Sequence, residues 1–199
     1  MIKPARRSNI NEMKILMVAS EANPFAKTGG LADVIGALPV ALAQRGEDVA
    51  VILPLYRQAR PLLEQADRAF DCLPIQMGAA SWNVDIRCLK SRGVTFYFVD
   101  RPDLFDRAEL YTEAGEDYPD NHIRFAVLCH AALGVVRRVF RPDVLHCHDW
   151  QASLVGPLTR YHLGGDPTFY GIKTLLTVHN LGYQGIFPRE TLTDLGLFE

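Results

Sequence analysis

The fold is decided by residues 14–53, which read KILMVASEANPFAKTGGLADVIGALPVALAQRGEDVAVIL. Residues 15–19 are all apolar, as expected of a strand that is buried on both faces of a parallel sheet. Apolar residues then recur at helical spacing over residues 31–45, just before Gly46, which is typical of a helix stop. A second strand-like run follows at residues 48–53. This order predicts a βαβ unit and a parallel sheet.

The rest of the chain extends this unit. Further strands are predicted at residues 69–77, 82–90, 94–99, 143–147 and 173–178, and further helices at 121–140, 150–161 and from 189 onward. A turn at Ser91-Arg92-Gly93 predicts a β-hairpin insert. The fold class is therefore α/β, with a Rossmann-like, mostly parallel sheet and helices on both faces. We expect one domain over residues 13–199, preceded by a disordered extension over residues 1–12.

Composition limits the classes of function. The chain has 199 residues, of which 48% are apolar, and a net charge of −2, so nothing indicates a nucleic-acid or membrane partner. No apolar run approaches the roughly 18 residues of a membrane span. The four cysteines form no CxxC pair and are expected to be reduced thiols of a cytoplasmic protein.

The turn before the first helix is a candidate binding loop, because ligands of open parallel sheets bind beyond the carboxyl ends of the strands. Gly29 and Gly30 allow close approach and positive φ. The helix N-terminus and the charge of Lys27 suit a phosphate, and the same turn suits a sugar hydroxyl. The turn matches neither GxxxxGK[ST] nor GxGxxG. An ordinary glycine turn, with Asp33 as a partner of the helix dipole, explains the pattern equally well.

A second candidate is the strand end His146-Cys147-His148-Asp149-Trp150. His146 and His148 share a strand face, as in a metal pair, but no further His/Cys cluster lies close in sequence, and no metal site is predicted. Asp149 suits either a binding role or a helix cap. Trp150 suits either stacking on a sugar or packing in the core.

A third candidate is the strand end at residues 177–185. His179 and Asn180 can hydrogen-bond hydroxyls or a phosphate, or they are a satisfied histidine and a turn asparagine. The chain contains no serine nucleophile elbow, no HExxH and no DxD motif.

Taken together, these stretches resemble the bacterial glycogen synthases and plant starch synthases. Residues 27–34, KTGGLADV, are similar to the signature near the start of that family. More matches follow in order: GALP at 36–39, DYPDN at 117–121 with RF at 124–125, RPD at 141–143 with HDW at 148–150, and TVHNL at 177–181 with YQG at 183–185. The resemblance covers essentially residues 13–199.

The resemblance implies a retaining glucosyltransferase that transfers glucose from ADP-glucose to the non-reducing end of an α-1,4-glucan without a metal or other cofactor. It implies a GT-B fold with two Rossmann-like domains. This chain is then the N-terminal, acceptor-side domain, with the C-terminal nucleotide-binding domain absent and the isolated chain inactive. The alternatives are a stand-alone glucan-binding or regulatory module, and a fragment of a GT-B enzyme that uses a UDP-sugar.

The resemblance also assigns roles to individual residues. The catalytic residues it implies are Lys27, His179 and Asp33. Those that bind the donor are Lys27, Gly29, Gly30 and Asn180. Those that line the acceptor side or the cleft are Tyr111, Asn121, Asp149, Trp150 and Gln184.

Overall fold

The structure, a computed structural model, describes residues 12–63 and 66–197. Nearly all of the extension predicted over residues 1–12 lies outside these ranges. The main elements are β1 (Lys14–Val18), α1 (Gly30–Gln44), β2 (Asp48–Pro54), β3 (Asp67–Met77), β4 (Ala80–Ser91), β5 (Val94–Asp100), α2 (Pro102–Phe105), β6 (Thr112–Glu113), β7 (Glu116–Asp117), α3 (Asn121–Arg138), β8 (Val144–His148), α4 (Asp149–Ala152), α5 (Val155–Pro157), β9 (Lys173–Thr177) and α6 (Thr191–Asp194). Among the described residues, no helix combines the length and the apolar character needed to cross a membrane.

The main sheet has the order β3-β4-β5-β2-β1-β8-β9 within the described residues. Neighbours among β5, β2, β1, β8 and β9 pair in parallel, whereas β4 pairs antiparallel with β3 and β5. The predicted mostly parallel sheet with an antiparallel insert is therefore confirmed. Because β2 and β8 flank β1 on opposite sides, the connections that follow β1 and β8 diverge and leave a crevice at the carboxyl ends of these strands.

Helices cover both faces of the sheet. Leu16 and Val18 of β1 belong to the apolar core that contains α3, and Ile15 and Met17 belong to the core that contains α1. This alternation follows from the period of two along a strand. Full burial of each such side chain contributes about 1.5–3 kcal/mol. The apolar centre of α3 is buried, as its sequence predicts.

The hairpin between β4 and β5 forms where the sequence predicts it. Arg92 has φ 53° and Gly93 has φ 83°. Two successive residues with positive φ form a turn whose twist matches that of the flanking strands.

The prediction of one continuous helix over residues 150–161 is wrong. The segment is divided into α4, α5 and a π-helical turn, Leu158–His162. The hydroxyl of Ser153 donates to the carbonyl of Trp150 at 2.8 Å, and Pro157 lacks an N–H group, so the helical ladder is interrupted twice. The helix expected from residue 189 onward is limited to α6, and Gly196, at φ 68°, follows it as a helix stop.

Candidate active site

A cavity of about 1240 Å³ opens at the carboxyl ends of β1, β8 and β9. Its lining brings together segments that are distant in sequence, among them the turn before α1, the segment around Tyr111, the start of α4 and the loop after β9. The predicted site residues that line it are Lys27, Gly29, Gly30, Tyr111, Asp149, Trp150, His179, Asn180 and Gln184. Asp33 and Asn121 do not belong to the lining.

The two glycines at the start of α1 provide space and do not adopt an unusual backbone angle. Gly29 has φ −144°, and Gly30, the first residue of α1, does not have positive φ either. The prediction of positive φ at these positions is wrong, because an extended Gly29 leads directly into the helix. A Cβ added at either glycine would meet no atom within 4 Å. No side chain caps the start of α1, so its first turn stays open toward the cavity side.

Glu21 is a site residue that the sequence analysis missed. Its side chain is 3% exposed and accepts hydrogen bonds from the backbone N–H groups of Thr28, at 2.6 Å, and Gly29, at 3.2 Å. The hydroxyls of Thr28, at 2.6 Å, and Tyr111, at 2.7 Å, also donate to it. The available signal was a carboxylate three residues beyond β1, at the same sheet edge as the other polar turns. The amides of Thr28 and Gly29 are thus already satisfied within the chain.

Lys27 and Asp33 form an ion pair at the edge of the cavity. The Nζ of Lys27 lies 2.6 Å from Oδ1 of Asp33, with the two side chains 50% and 55% exposed. An ion pair this exposed contributes only about 0–1 kcal/mol to stability. Lys27 lines the cavity, whereas Asp33 contacts it only through this ion pair with Lys27.

Tyr111 lines the cavity, and Asn121 supports it from behind. The Nδ2 group of Asn121 donates to the carbonyl of Tyr111 at 2.9 Å, and its Oδ1 accepts from Arg124 at 2.6 Å. Asn121 is 2% exposed at the first turn of the buried helix α3. The structure therefore corrects its assignment as a cleft residue, because its side chain is used inside the wall. Burial, the main cause, raises the pKa of Tyr111 well above its usual value.

Three histidines lie side by side, with His179 in the cavity lining and His148 and His146 behind it. The ring centroids of His146 and His148 are 4.0 Å apart, and those of His148 and His179 are 5.3 Å apart. The Nδ1 of His148 lies 3.0 Å from Nε2 of His179, and the Nε2 of His146 lies 2.8 Å from Oγ1 of Thr177. Burial, with a smaller effect of the two neighbouring histidines, lowers the pKa of His148 to about 3.

This stack is not arranged as a metal centre. One ring nitrogen of His146 and one of His148 are used in hydrogen bonds to Thr177 and His179. Within residues 12–63 and 66–197, no group of three or more His, Cys, Asp or Glu side chains is placed to hold a metal ion. The geometry instead makes His148 a buried support for the ring of His179.

Asp149 joins the ends of two neighbouring strands. Its Oδ1 accepts from the backbone N–H of His179 at 2.7 Å, and its φ of 59° lies in the left-handed region that aspartate tolerates better than most residues. The N-cap position of α4 belongs to His148, so a capping role for Asp149 is ruled out. The loop after β9 is thereby fixed to the end of β8.

Trp150 both packs and lines the cavity. Its ring contacts Phe125 edge-on at a centroid distance of 5.1 Å and Phe187 at 5.4 Å. A Cβ on Gly185, where φ is 62°, would come within 2.3 Å of the indole, so the loop depends on glycine there. The ring is thus held between α3 and the loop after β9.

The two remaining polar residues of that loop shape its turn. The Oδ1 of Asn180 accepts from the N–H of Gly182 at 2.9 Å, and the Nε2 of Gln184 donates to the carbonyl of Leu181 at 3.0 Å. Both side chains are exposed at the cavity rim.

Comparisons with known proteins agree with this arrangement. A family model described as the starch synthase catalytic domain matches residues 14–199. Glycogen synthase 2 of Geobacter metallireducens is 44% identical over 186 residues, and a glycogen synthase of Anaeromyxobacter sp. (strain K) is 44% identical over 188 residues; each comparison covers 93% of this chain and 38% of the relative. The catalytic domain of starch synthase IV from Arabidopsis thaliana, bound to ADP and acarbose, matches with a TM-score of 0.76 and 27% identity, over 94% of this chain and 38% of that one. The chain thus spans 38% of the length of these relatives, and it belongs to the starch synthase catalytic domain family.

Proposed function

We propose that this chain forms the N-terminal, acceptor-side half of a retaining GT-B glucosyltransferase, which transfers glucose from ADP-glucose to the non-reducing end of an α-1,4-glucan. The observation that carries the proposal is the meeting of Lys27, the uncapped start of α1 and the His179 loop in one cavity. The names of the relatives, and the ADP and acarbose in the Arabidopsis structure, support this donor and acceptor.

The leaving group of this reaction is a nucleoside diphosphate, which needs stabilisation of negative charge. Lys27 and the first-turn amides of α1 supply it on this side of the cleft. Among the described lining residues, Lys27 is the only lysine or arginine, whereas Glu21, Glu109, Asp117 and Asp149 are carboxylates. We expect groups on the opposite side of the cleft to stabilise the rest of the diphosphate charge.

The glucosyl group is expected to lie beside His179. Because Nε2 of His179 is close to His148, its Nδ1 and its backbone carbonyl are the groups left for sugar hydroxyls. Retaining glycosidases use two carboxyl groups about 5–5.5 Å apart. Here Glu21 is saturated by four hydrogen bonds and Asp149 holds His179, so neither is presented as a protein nucleophile.

The acceptor glucan is expected to lie on the apolar side of the cavity. Trp150 and Phe187 line it together with Tyr183 and Ile186, which are 74% and 83% exposed. Aromatic faces suit the C–H faces of sugar rings.

We further propose that transfer needs no metal ion. EDTA is then expected to leave the rate of transfer unchanged. A rate that EDTA abolishes and Mg²⁺ or Mn²⁺ restores would contradict this.

The test compares the chain alone with a two-part enzyme. The 199-residue chain is assayed with ADP-glucose and a maltooligosaccharide, first alone and then with the separately expressed remainder of the Geobacter metallireducens relative. We expect no turnover alone, because half a cleft leaves the donor poorly positioned and exposed to water, and turnover in the mixture. Transfer by the chain alone would contradict the proposal that it holds only half of the active site. A preference for UDP-glucose over ADP-glucose would contradict the proposed donor. Glucan binding without any transfer would favour a stand-alone glucan-binding module.

A further inference from the structure

The carboxylate of Glu21 connects two walls of the cavity. Its Oε2 accepts from the backbone N–H groups of Thr28 and Gly29, and its Oε1 accepts from the hydroxyls of Thr28 and Tyr111. Thr28 and Gly29 directly precede α1, whereas Tyr111 lies 90 residues beyond Glu21 in sequence. One buried side chain therefore holds both segments above the end of β1.

The Tyr111 end of this connection is itself anchored. Its hydroxyl donates to Glu21, so the 2.7 Å contact between that hydroxyl and the Oγ of Ser20 has serine as its donor. Its carbonyl accepts from Asn121 of α3. The chain of hydrogen bonds thus runs from the start of α1 through Glu21 and Tyr111 to the start of α3.

Hydrogen bonds, not a cation, hold the Glu21 charge. No salt bridge within the described part of the chain includes Glu21, and its side chain is 3% exposed. Hydrogen bonds to a carboxylate are shorter and stronger than those between neutral groups. Lys27 directly precedes Thr28, so the position of its backbone follows from this arrangement.

We propose that Glu21 is a positioning residue, whose buried carboxylate fixes the Lys27–Gly30 loop against Tyr111 and thereby sets the place of Lys27 in the cavity. We call the hydrogen bonds that Glu21 accepts from Thr28, Gly29 and Tyr111 the brace. The role of the loop in catalysis rests on the function proposed above, whereas the existence of the brace does not. One consequence is that a donor phosphate is bound by Lys27 and the first turn of α1, and not by the amides of Thr28 and Gly29.

Glu21→Gln and Glu21→Ala separate the geometry from the charge. In E21Q the new carboxamide oxygen takes the place of Oε2 and accepts from both amides. The new NH₂ group takes the place of Oε1 and donates to the hydroxyls of Thr28 and Tyr111, because hydroxyls accept as well as donate. Tyr111 then donates to Ser20. E21Q therefore keeps the brace without its charge, whereas E21A removes the brace.

The first measurement is amide hydrogen exchange of the 199-residue chain without ligand. The amides of Thr28 and Gly29 are expected to exchange at least roughly tenfold faster in E21A, with little change in E21Q and in the β1–β2 ladder. Tyr111→Phe, a milder change, is expected to raise exchange at Gly29 by a smaller factor, and it serves if E21A does not fold. Unchanged exchange in the folded variants that lack these bonds, or E21Q behaving like E21A, would overturn the brace.

The second measurement is transfer by the two-part enzyme. E21A is expected to lower kcat/KM for ADP-glucose at least tenfold, and E21Q to recover most of that loss. If exchange rises in E21A while kcat/KM is unchanged, the brace exists but does not position Lys27 for transfer, and that part of the proposal is overturned. If even the unmodified enzyme transfers nothing, the proposed function fails, while the exchange result still decides the brace.

Discussion

The ammonium group of Lys27 lies 2.6 Å from the carboxylate of Asp33, across the first turn of α1. Both side chains are about half exposed, so the pair adds little to the stability of the fold. Its importance lies in where it places a positive charge, at the rim of a cavity whose other acidic or basic lining residues, histidine aside, are all carboxylates. An anionic ligand there competes with Asp33 for the same ammonium group.

Replacing Lys27 by alanine is expected to affect the site and not the fold. Lys27→Ala should lower kcat/KM for ADP-glucose in the two-part enzyme by at least about tenfold, because the diphosphate loses a direct charge contact. The free energy of unfolding should change by less than about 0.5 kcal/mol. Lys90→Ala, at an exposed position on β4, is the matched control and should change neither quantity. Full activity of the Lys27 variant would contradict the phosphate role.

Asp33→Asn tests the other half of the pair. The variant keeps the shape of the side chain but removes a charge near the helix N-terminus, so we expect a loss of about 0.3–1 kcal/mol in the free energy of unfolding. Turnover should fall because Lys27 is no longer held. If Asp33 only stabilises the helix, turnover measured well below the melting temperature will be unchanged.

Much of the fold could be predicted because it depends on local patterns. The apolar run in β1, the periodicity of α1 and the turn at Arg92 and Gly93 each reflect the conformation of a short segment. The gathering of the three polar turns also followed from the sequence, since parallel strands present their carboxyl ends at one edge of a sheet.

The contacts within the site depend on residues far apart in sequence, and here the sequence was a weaker guide. Glu21 becomes important through Tyr111, 90 residues away. Asp149 has its partner at His179, 30 residues away, and so acts as a tie between loops and not as a helix cap. Asn121 matches the family motif, but its side chain is used to support Tyr111 inside the wall. A motif identifies such residues without showing which way each side chain points.

Asp149 offers a test of that tie. Asp149→Asn keeps an oxygen acceptor for the N–H of His179 and tolerates the left-handed backbone, so it should retain most of the activity. Asp149→Ala loses the acceptor and disfavours φ 59°, so kcat should fall at least about tenfold as the His179 loop loosens. Equal kcat in the two variants would show that the tie to His179 is not needed. Amide exchange of His179 provides a readout independent of activity.

Stability is expected to fall on mild acidification. Burial, the main cause, lowers the pKa of His148 to about 3 and that of His130 to about 4, from 6.5. The unfolded chain therefore binds more protons than the folded chain below pH 6.5, and stability is lost as pH falls through that value. Between about pH 7.5 and about pH 5, each histidine should cost roughly 2 kcal/mol. Carboxylates with lowered pKa values, such as Asp120, titrate below this window.

Urea unfolding at those two pH values provides the measurement. His130 lies on α3, near His162 and Arg137, and does not line the cavity, so it is the better position to change. In His130→Gln the loss of stability between the two pH values should be smaller by roughly 2 kcal/mol. An unaltered difference would mean that His130 is protonated in the folded chain as readily as in the unfolded one.

The buried guanidinium of Arg124 should be the most sensitive position behind the site. It is 0% exposed, its Nε donates to the carbonyl of Leu104 at 2.7 Å, and its Nη1 donates to Asn121 at 2.6 Å. Arg124→Met leaves both acceptors without a donor in the core, so we expect a loss of roughly 2–5 kcal/mol in the free energy of unfolding. Arg160→Met, at an exposed position, is the control and should stay within about 0.5 kcal/mol. Because Asn121 in turn holds Tyr111, the hydrogen–deuterium exchange of Gly29 should also rise in the Arg124 variant. If stability is lost without that rise, Arg124 stabilises the core but does not support the hydrogen bonds that Glu21 accepts.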